Sequence, residues 1–276
     1  MEPASSKRPW EMEPGSSKRP QEAEPASSKR LQEAEPGTKT ENISIKRGLS
    51  GAVLKNIALI TMLIDHVGAF FLYTYTSLGD GTEVFAGADN MYVCMRAVGR
   101  CAFPLFCFLL TEGFCHTHNL CRYMGRMALF ALLSEIPFDL ARTGKIYDPG
   151  GQNVFFTLTL GLAVMAVLRR METEPRRGRQ IAWFALGGLI AFGGELIQAD
   201  YGCIGILLIA VLYLLRNYRL TACLAGYGCM LWEGWSFPAF ILAYFYNGQK
   251  GKGSKYFFYF FYPLHLLLLY LFRRWM

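Results

Sequence analysis

A chain of 276 residues that is 53% hydrophobic, with a mean hydropathy of +0.22 despite a strongly polar start, is not built as a soluble globular domain. Its apolar runs are long and continuous, which excludes a transmembrane barrel made of short alternating segments. The net charge of +7 does not point to nucleic acid: the first 42 residues carry seven Lys/Arg and eight Asp/Glu, and the other 21 basic and 13 acidic residues fall mostly in short loops between apolar runs, a pattern that sets membrane topology. The class that remains is an all-α polytopic transmembrane helical bundle whose first partner is the lipid bilayer.

Residues 1–45 form a polar tail. An 11-residue repeat starts at Glu2, Glu13 and Glu24, with a partial copy at Glu35. Glu, Pro, Ser, Lys and Arg dominate it, so it cannot bury enough surface to offset its ordering entropy and is expected to be disordered. It has no apolar stretch of secretory-signal type. Residues 46–276 form the integral-membrane domain.

The first apolar segment is 53–72, VLKNIALITMLIDHVGAFFL. Twenty helical residues rise about 30 Å, the thickness of a hydrocarbon core. The loop 73–91 is acidic, with Asp80, Glu83 and Asp89, and belongs outside the cytoplasm. The second segment, 92–114, contains Arg96, Arg100, Pro104 and Glu112, and a basic loop follows it. Further segments are expected at 123–141, 153–169, 180–197 and 203–216. Residues 220–246 read either as two short helices broken at Trp235–Pro238, one of them possible as a re-entrant element, or as one long helix. The last segment is 256–272. Two short helices make nine spans and one long helix makes eight. The basic loops place the N-terminus in the cytoplasm, and nine is preferred because it keeps Lys250, Lys252 and Lys255 on that side.

Polar residues inside apolar runs carry the chemistry. Asp65 and His66 fall within the first segment, and an ionisable group at the bilayer centre costs at least about 2.5 kcal/mol, so such a pair marks a candidate site. Arg96 and Arg100 share one helix face, as do Glu135 and Asp139. These four can form a closed, inert ion-pair network. Alternatively, the arginines can hold an anionic ligand such as a phosphate-bearing acyl-CoA, with His66 as general base. Asp65 cannot easily orient its own neighbour, so Glu135 or Asp139 is the expected partner of the His66 ring. His265, after Pro263, reads equally as an interface anchor or a site residue. The loop from Cys115 to Cys121 holds His116 and His118, but its spacing is not that of a zinc site, and no metal is expected. The eight cysteines lie mostly in apolar runs and show no disulfide framework.

Several strings together resemble the TraX family: LKNIALITMLIDHVGAFF (54–71), MRAVGRCAFPLFCFLLTEGFCHTHN (95–119), RMALFALLSEIPFDLA (126–141), GQNVFFTLTLGL (151–162), DYGCIGILLI (200–209) and the terminal YPLHLLLLYL. The resemblance covers about residues 53–272 and excludes the repeats. It implies a multi-pass protein of the bacterial cytoplasmic membrane associated with conjugation. The function it implies is an acetyl-CoA-dependent acyltransferase that acetylates a pilin-like protein or another envelope acceptor, protein, glycan or lipid. By the same resemblance His66 and Asp65, with Glu135 and Asp139, are catalytic candidates, and Arg96 and Arg100 bind the donor. Glu112, His116, His118, Gln152, Asn153 and His265 are further candidates. A transporter, or a non-catalytic assembly factor of a conjugation or envelope system, is the competing expectation.

Overall fold

The computed structural model describes residues 48–72, 88–253 and 255–275. The repeat tail and the acidic loop around Asp80 and Glu83 lie outside the described residues. Within them the chain is helical and contains no strand, only two isolated bridges. The helices are α1 Gly51–Val67, α2 Ala88–Gly99, α3 Ala102–Cys115, α4 Leu120–Thr143, α5 Val154–Thr173, α6 Arg177–Leu196, α7 Gly202–Leu214, α8 Arg219–Cys229, α9 Phe237–Tyr244 and α10 Lys255–Trp275. A π-turn, Gly68–Leu72, continues α1, and a 3₁₀ turn, Leu231–Ser236, joins α8 to α9.

Local chemistry sets the boundaries. The Ser50 hydroxyl accepts from Val53 N and starts α1, and Asn119 accepts from Arg122 N to start α4. Gly144, at φ 75°, closes α4 in the left-handed conformation with its N–H on the Leu140 carbonyl. Asn153 starts α5 by accepting from Phe155 N at 3.1 Å. The same buried side chain donates to the Ala131 carbonyl at 2.8 Å and to Glu135 at 2.5 Å, so it ties α4 to α5. Asn153→Ala removes the cap and leaves buried acceptors unpaired. It is expected to cost about 2–3 kcal/mol, read as a lower thermal unfolding midpoint in detergent; an unchanged midpoint would count against this role.

Close approach shapes the rest of the bundle. A Cβ on Gly161 of α5 would collide with Ile209 of α7, and one on Gly194 of α6 would collide with Ile206. Small residues at such crossings let helix backbones pack tightly where lipid supplies no hydrophobic drive. The interior is apolar, with Leu54, Leu105, Phe114, Leu162, Met165, Ile206 and Ile209 fully buried. The outer faces are apolar as well: Leu132 and Ile136 on α4, Ile181, Phe184 and Leu189 on α6, and Phe257, Phe260, Leu264 and Leu268 on α10 are exposed. Apolar surface on this scale fits a hydrocarbon solvent.

Among the described residues four helical stretches are long and apolar enough to cross a membrane: Gly51–Phe70, Asn90–Cys115, Val154–Thr173 and Tyr256–Trp275. Residues 220–246 form the two short helices α8 and α9, so the single long helix behind the eight-span alternative is not what the chain adopts. Both begin or end at the same end of the bundle. Arg219, at the start of α8, donates to the Tyr246 carbonyl, and Leu49 N, just before α1, donates to the Phe245 carbonyl at 2.9 Å. That end also holds Arg216, bridged to Glu172 at 2.8 Å, and a cleft lined by Lys55 and Lys250, and is called here the basic end.

Candidate active site

At the other end, α1, the junction of α2 with α3, the turn before α7, the 3₁₀ turn and α10 meet at one level. The site is assembled there. Asp65, one turn before the π-turn, accepts from Arg96 Nη1 at 2.6 Å. Helix continuity breaks at Arg100–Cys101, and Arg100 Nη1 bridges Glu233 of the 3₁₀ turn at 2.9 Å. The Glu233 carboxylate side chain is only 6% exposed, so this cation is its main compensation. The Tyr201 side chain lies near Arg100.

Asp65 and Arg96 can meet because residue 99 is glycine. A Cβ there would overlap the Asp65 side chain well inside van der Waals contact. Gly99→Ala is expected to push Asp65 away from Arg96 and to cost about 1–3 kcal/mol, measured by thermal unfolding; wild-type stability would show that the contact is slack.

The turn before α7 is held in an uncommon conformation. Gln198 and Tyr201 have φ of 53° and 63°, and Gly202 has 47°. Left-handed non-glycine residues cost on the order of 1–3 kcal/mol each and cluster at functional sites. The turn is pinned by Gln152, whose N–H donates to the Gln198 carbonyl at 2.9 Å and whose carbonyl accepts from Asp200 N at 3.0 Å. Thr157 donates to the Asp200 carbonyl. The Tyr201 ring stacks on Phe103, with centroids 3.7 Å apart. Asp200 is open at its surface but closely surrounded by protein, and this desolvation, then the Asp65 and Glu233 carboxylates, pushes its carboxyl up to about 6.

The histidines complete the site. His66 Nδ1 lies 2.6 Å from His265 Nε2, with the rings 5° from parallel. His265 is buried, and its Nδ1 lies 2.7 Å from the Phe261 carbonyl. Tyr262 stands edge-on to both rings, and Phe70 lies 5.4 Å from the His66 ring. Asp65 Oδ1, Glu233 Oε2 and Ser236 Oγ are buried with no hydrogen-bond partner among the described residues. Buried acceptors of this kind call for a donor.

Of the residues expected from sequence, Asp65, His66, Arg96, Arg100 and His265 come together here. The partners differ from those expected. The arginines pair with Asp65 and Glu233, not with Glu135 and Asp139, and the His66 ring pairs with His265, not with a carboxylate. Glu135, Gln152 and Asn153 sit beside the site: Glu135 is held by Asn153, and Gln152 pins the turn at Gln198 and Asp200. Asp139 is buried and turned toward its own loop, where it accepts from Asp148 N at 2.9 Å. Glu112, His116 and His118 lie toward the basic end, with Glu112 near Arg219 and His116 bonded to the Glu112 carbonyl at 2.8 Å. Among the described residues no three His, Cys, Asp or Glu side chains group as metal ligands. Asp200, Tyr201, Glu233 and Tyr262 are the site residues that sequence reasoning missed. The signal for the first two was the string DYGCIGILLI (200–209), one of those that resemble the TraX family.

All of these elements fall inside one match to known proteins. A family model described as TraX protein covers residues 50–273, from the first turn of α1 to the last turn of α10. The probable fimbrial assembly protein FimC, serogroup H1, of Dichelobacter nodosus is 30% identical over 238 residues, spanning 78% of this chain and 92% of that protein. No solved structure matches. Four membrane-length apolar helices in a bundle with an apolar exterior agree with a membrane protein. With the match running through every helix that builds the site, this chain belongs to the TraX family.

Proposed function

We propose that the chain is an integral-membrane acyltransferase that moves an acetyl group from acetyl-CoA to an amine or hydroxyl of a pilin-like protein or another cell-envelope acceptor. The observation that carries this reading is a histidine, His66, paired with His265 and next in the chain to Asp65, whose carboxylate holds Arg96. In the step proposed, the acceptor nitrogen or oxygen attacks the thioester carbonyl carbon. His66 takes the acceptor proton, the C–S bond breaks as the new C–N or C–O bond forms, and the proton returns to the thiolate. Arg96 and Arg100 each use one guanidinium nitrogen on a carboxylate, and their other N–H groups suit the oxyanion that develops on the carbonyl. Two arginines facing Asp65, Glu233 and Asp200 make a site with no net positive charge. That balance favours an amine and a transient oxyanion over a resident polyphosphate. The unpartnered Asp65 and Glu233 oxygens suit an amine acceptor.

Topology follows the same reading. The basic end faces the cytoplasm of a bacterial inner membrane, with the N-terminus on that side. On this reading the chain makes nine helical passes, of which the shortest two, α8 and α9, form a re-entrant hairpin. These have 11 and 8 residues, too few to cross a core of about 30 Å. The name of the Dichelobacter nodosus relative supports a second reading, a pilus assembly factor without catalysis.

The test uses membranes carrying the intact chain, incubated with radiolabelled acetyl-CoA and host envelope material. Label transferred with the wild type and lost with His66→Ala supports the acyltransferase and identifies the acceptor by mass. Equal label with both chains removes His66. No label from folded protein moves the weight to assembly.

A further inference from the structure

The contact between the two histidines determines more than proximity. His265 Nδ1 lies 2.7 Å from the Phe261 carbonyl oxygen. A carbonyl oxygen only accepts, so Nδ1 carries the hydrogen. A neutral imidazole has one N–H, so His265 Nε2 carries a lone pair. That lone pair lies 2.6 Å from His66 Nδ1, which must therefore donate. His66 is then left with its lone pair on Nε2. The opposite arrangement requires a doubly protonated His265. That would place a cation between Phe261, Tyr262 and the His66 ring, with Arg96 already beside His66. Among the described residues no carboxylate contacts His265, and an unpaired buried cation is costly.

We infer that His265 is a positioning residue: through the Phe261 carbonyl it fixes His66 in the Nδ1–H tautomer, so that His66 Nε2 is the basic nitrogen. The role matches that of the carboxylate behind the histidine of a serine protease triad, which holds the tautomer and stabilises the imidazolium. Here a neutral imidazole does the same work without adding a charge to the apolar interior. When His66 gains a proton at Nε2, its Nδ1–H bond to His265 becomes charge-assisted and stronger. This inference rests on the acyltransferase reading only for its use, since the tautomer is a property of the folded chain.

The experiment is nitrogen-15 NMR of the full chain, labelled at histidine and held in lipid nanodiscs, with His66→Gln and His265→Gln used to assign signals. The expected result is one protonated Nδ1 and one unprotonated Nε2 on both rings. In His265→Leu the His66 signals should shift toward the Nε2–H form, whereas His265→Gln, whose side-chain oxygen can accept, should keep them. Acetyl transfer should follow, falling about 10²–10⁴-fold in His265→Leu and staying within about tenfold of wild type in His265→Gln. An Nε2–H tautomer on wild-type His66, or an unchanged tautomer in His265→Leu, overturns the inference. If the leucine variant does not fold, the wild-type tautomer alone decides. Tautomers as expected, with no acetyl transfer by any chain, uphold the histidine pair and defeat the acyltransferase reading instead.

Discussion

His66→Ala is expected to slow acetyl transfer by about 10²–10⁴-fold, the range that one positioned general base supplies. Removing the imidazole takes away the proton acceptor but none of the arginine contacts, so residual transfer above background should survive. The variant also leaves His265 Nε2 without its donor in a buried setting, which costs about 1–3 kcal/mol. Rate and stability must therefore be read together. Initial rates at saturating acetyl-CoA, with unfolding midpoints for the same samples, separate the two effects. A folded His66→Ala chain that transfers at more than a tenth of the wild-type rate would leave the base unassigned.

Arg100→Met is expected to be the most destabilising single change in the site, by about 3–5 kcal/mol. The reason is Glu233, whose nearly buried carboxylate would lose its counter-charge while its second oxygen has no partner among the described residues. The pair itself need not be worth that much, because removing one partner of a buried bridge costs more than removing both. The double variant Arg100→Met/Glu233→Leu should recover a large part of the loss. A double-mutant cycle on unfolding midpoints measures this, and additive effects would mean that the two side chains are not coupled. Arg96→Met should be milder in stability, since Asp65 is more open, with its side chain 16% exposed. The strained turn before α7 lies beside the same pair, with Tyr201 near Arg100. Loss of Arg100 thus frees the 3₁₀ turn from its bridge to the junction of α2 with α3.

The all-helical class could be read without a structure, because membrane-length apolar runs leave a chain few alternatives to helix. Asp65, His66, Arg96 and Arg100 could be singled out for the same reason: an ionisable side chain inside an apolar run is conspicuous. The helix boundaries near Ser50, Asn119, Gly144 and Asn153 follow from capping chemistry written locally in the chain. The strings that carry the TraX resemblance all lie within the family match, from residue 50 to residue 273.

Partner choice was not written locally. Helical periodicity shows that Arg96 and Arg100 share a face, but not which helix that face meets, at what depth or at what rotation. Those depend on how side chains from every helix pack at once. The chain brings Arg96 to Asp65 across 31 positions and His66 to His265 across 199. Glu135 and Asp139, the expected counter-charges, are drawn instead to Asn153 and to the backbone of the loop after α4. Glu233 lay in the stretch where helix and turn could not be told apart, and only the folded chain shows that its 3₁₀ turn reaches the level of Arg100. The sequence by itself determined a helical membrane protein with charged residues inside it. The tertiary structure alone decided which of those charges neutralise one another and which nitrogen of His66 is left free, because both are set by contacts between helices far apart in the chain.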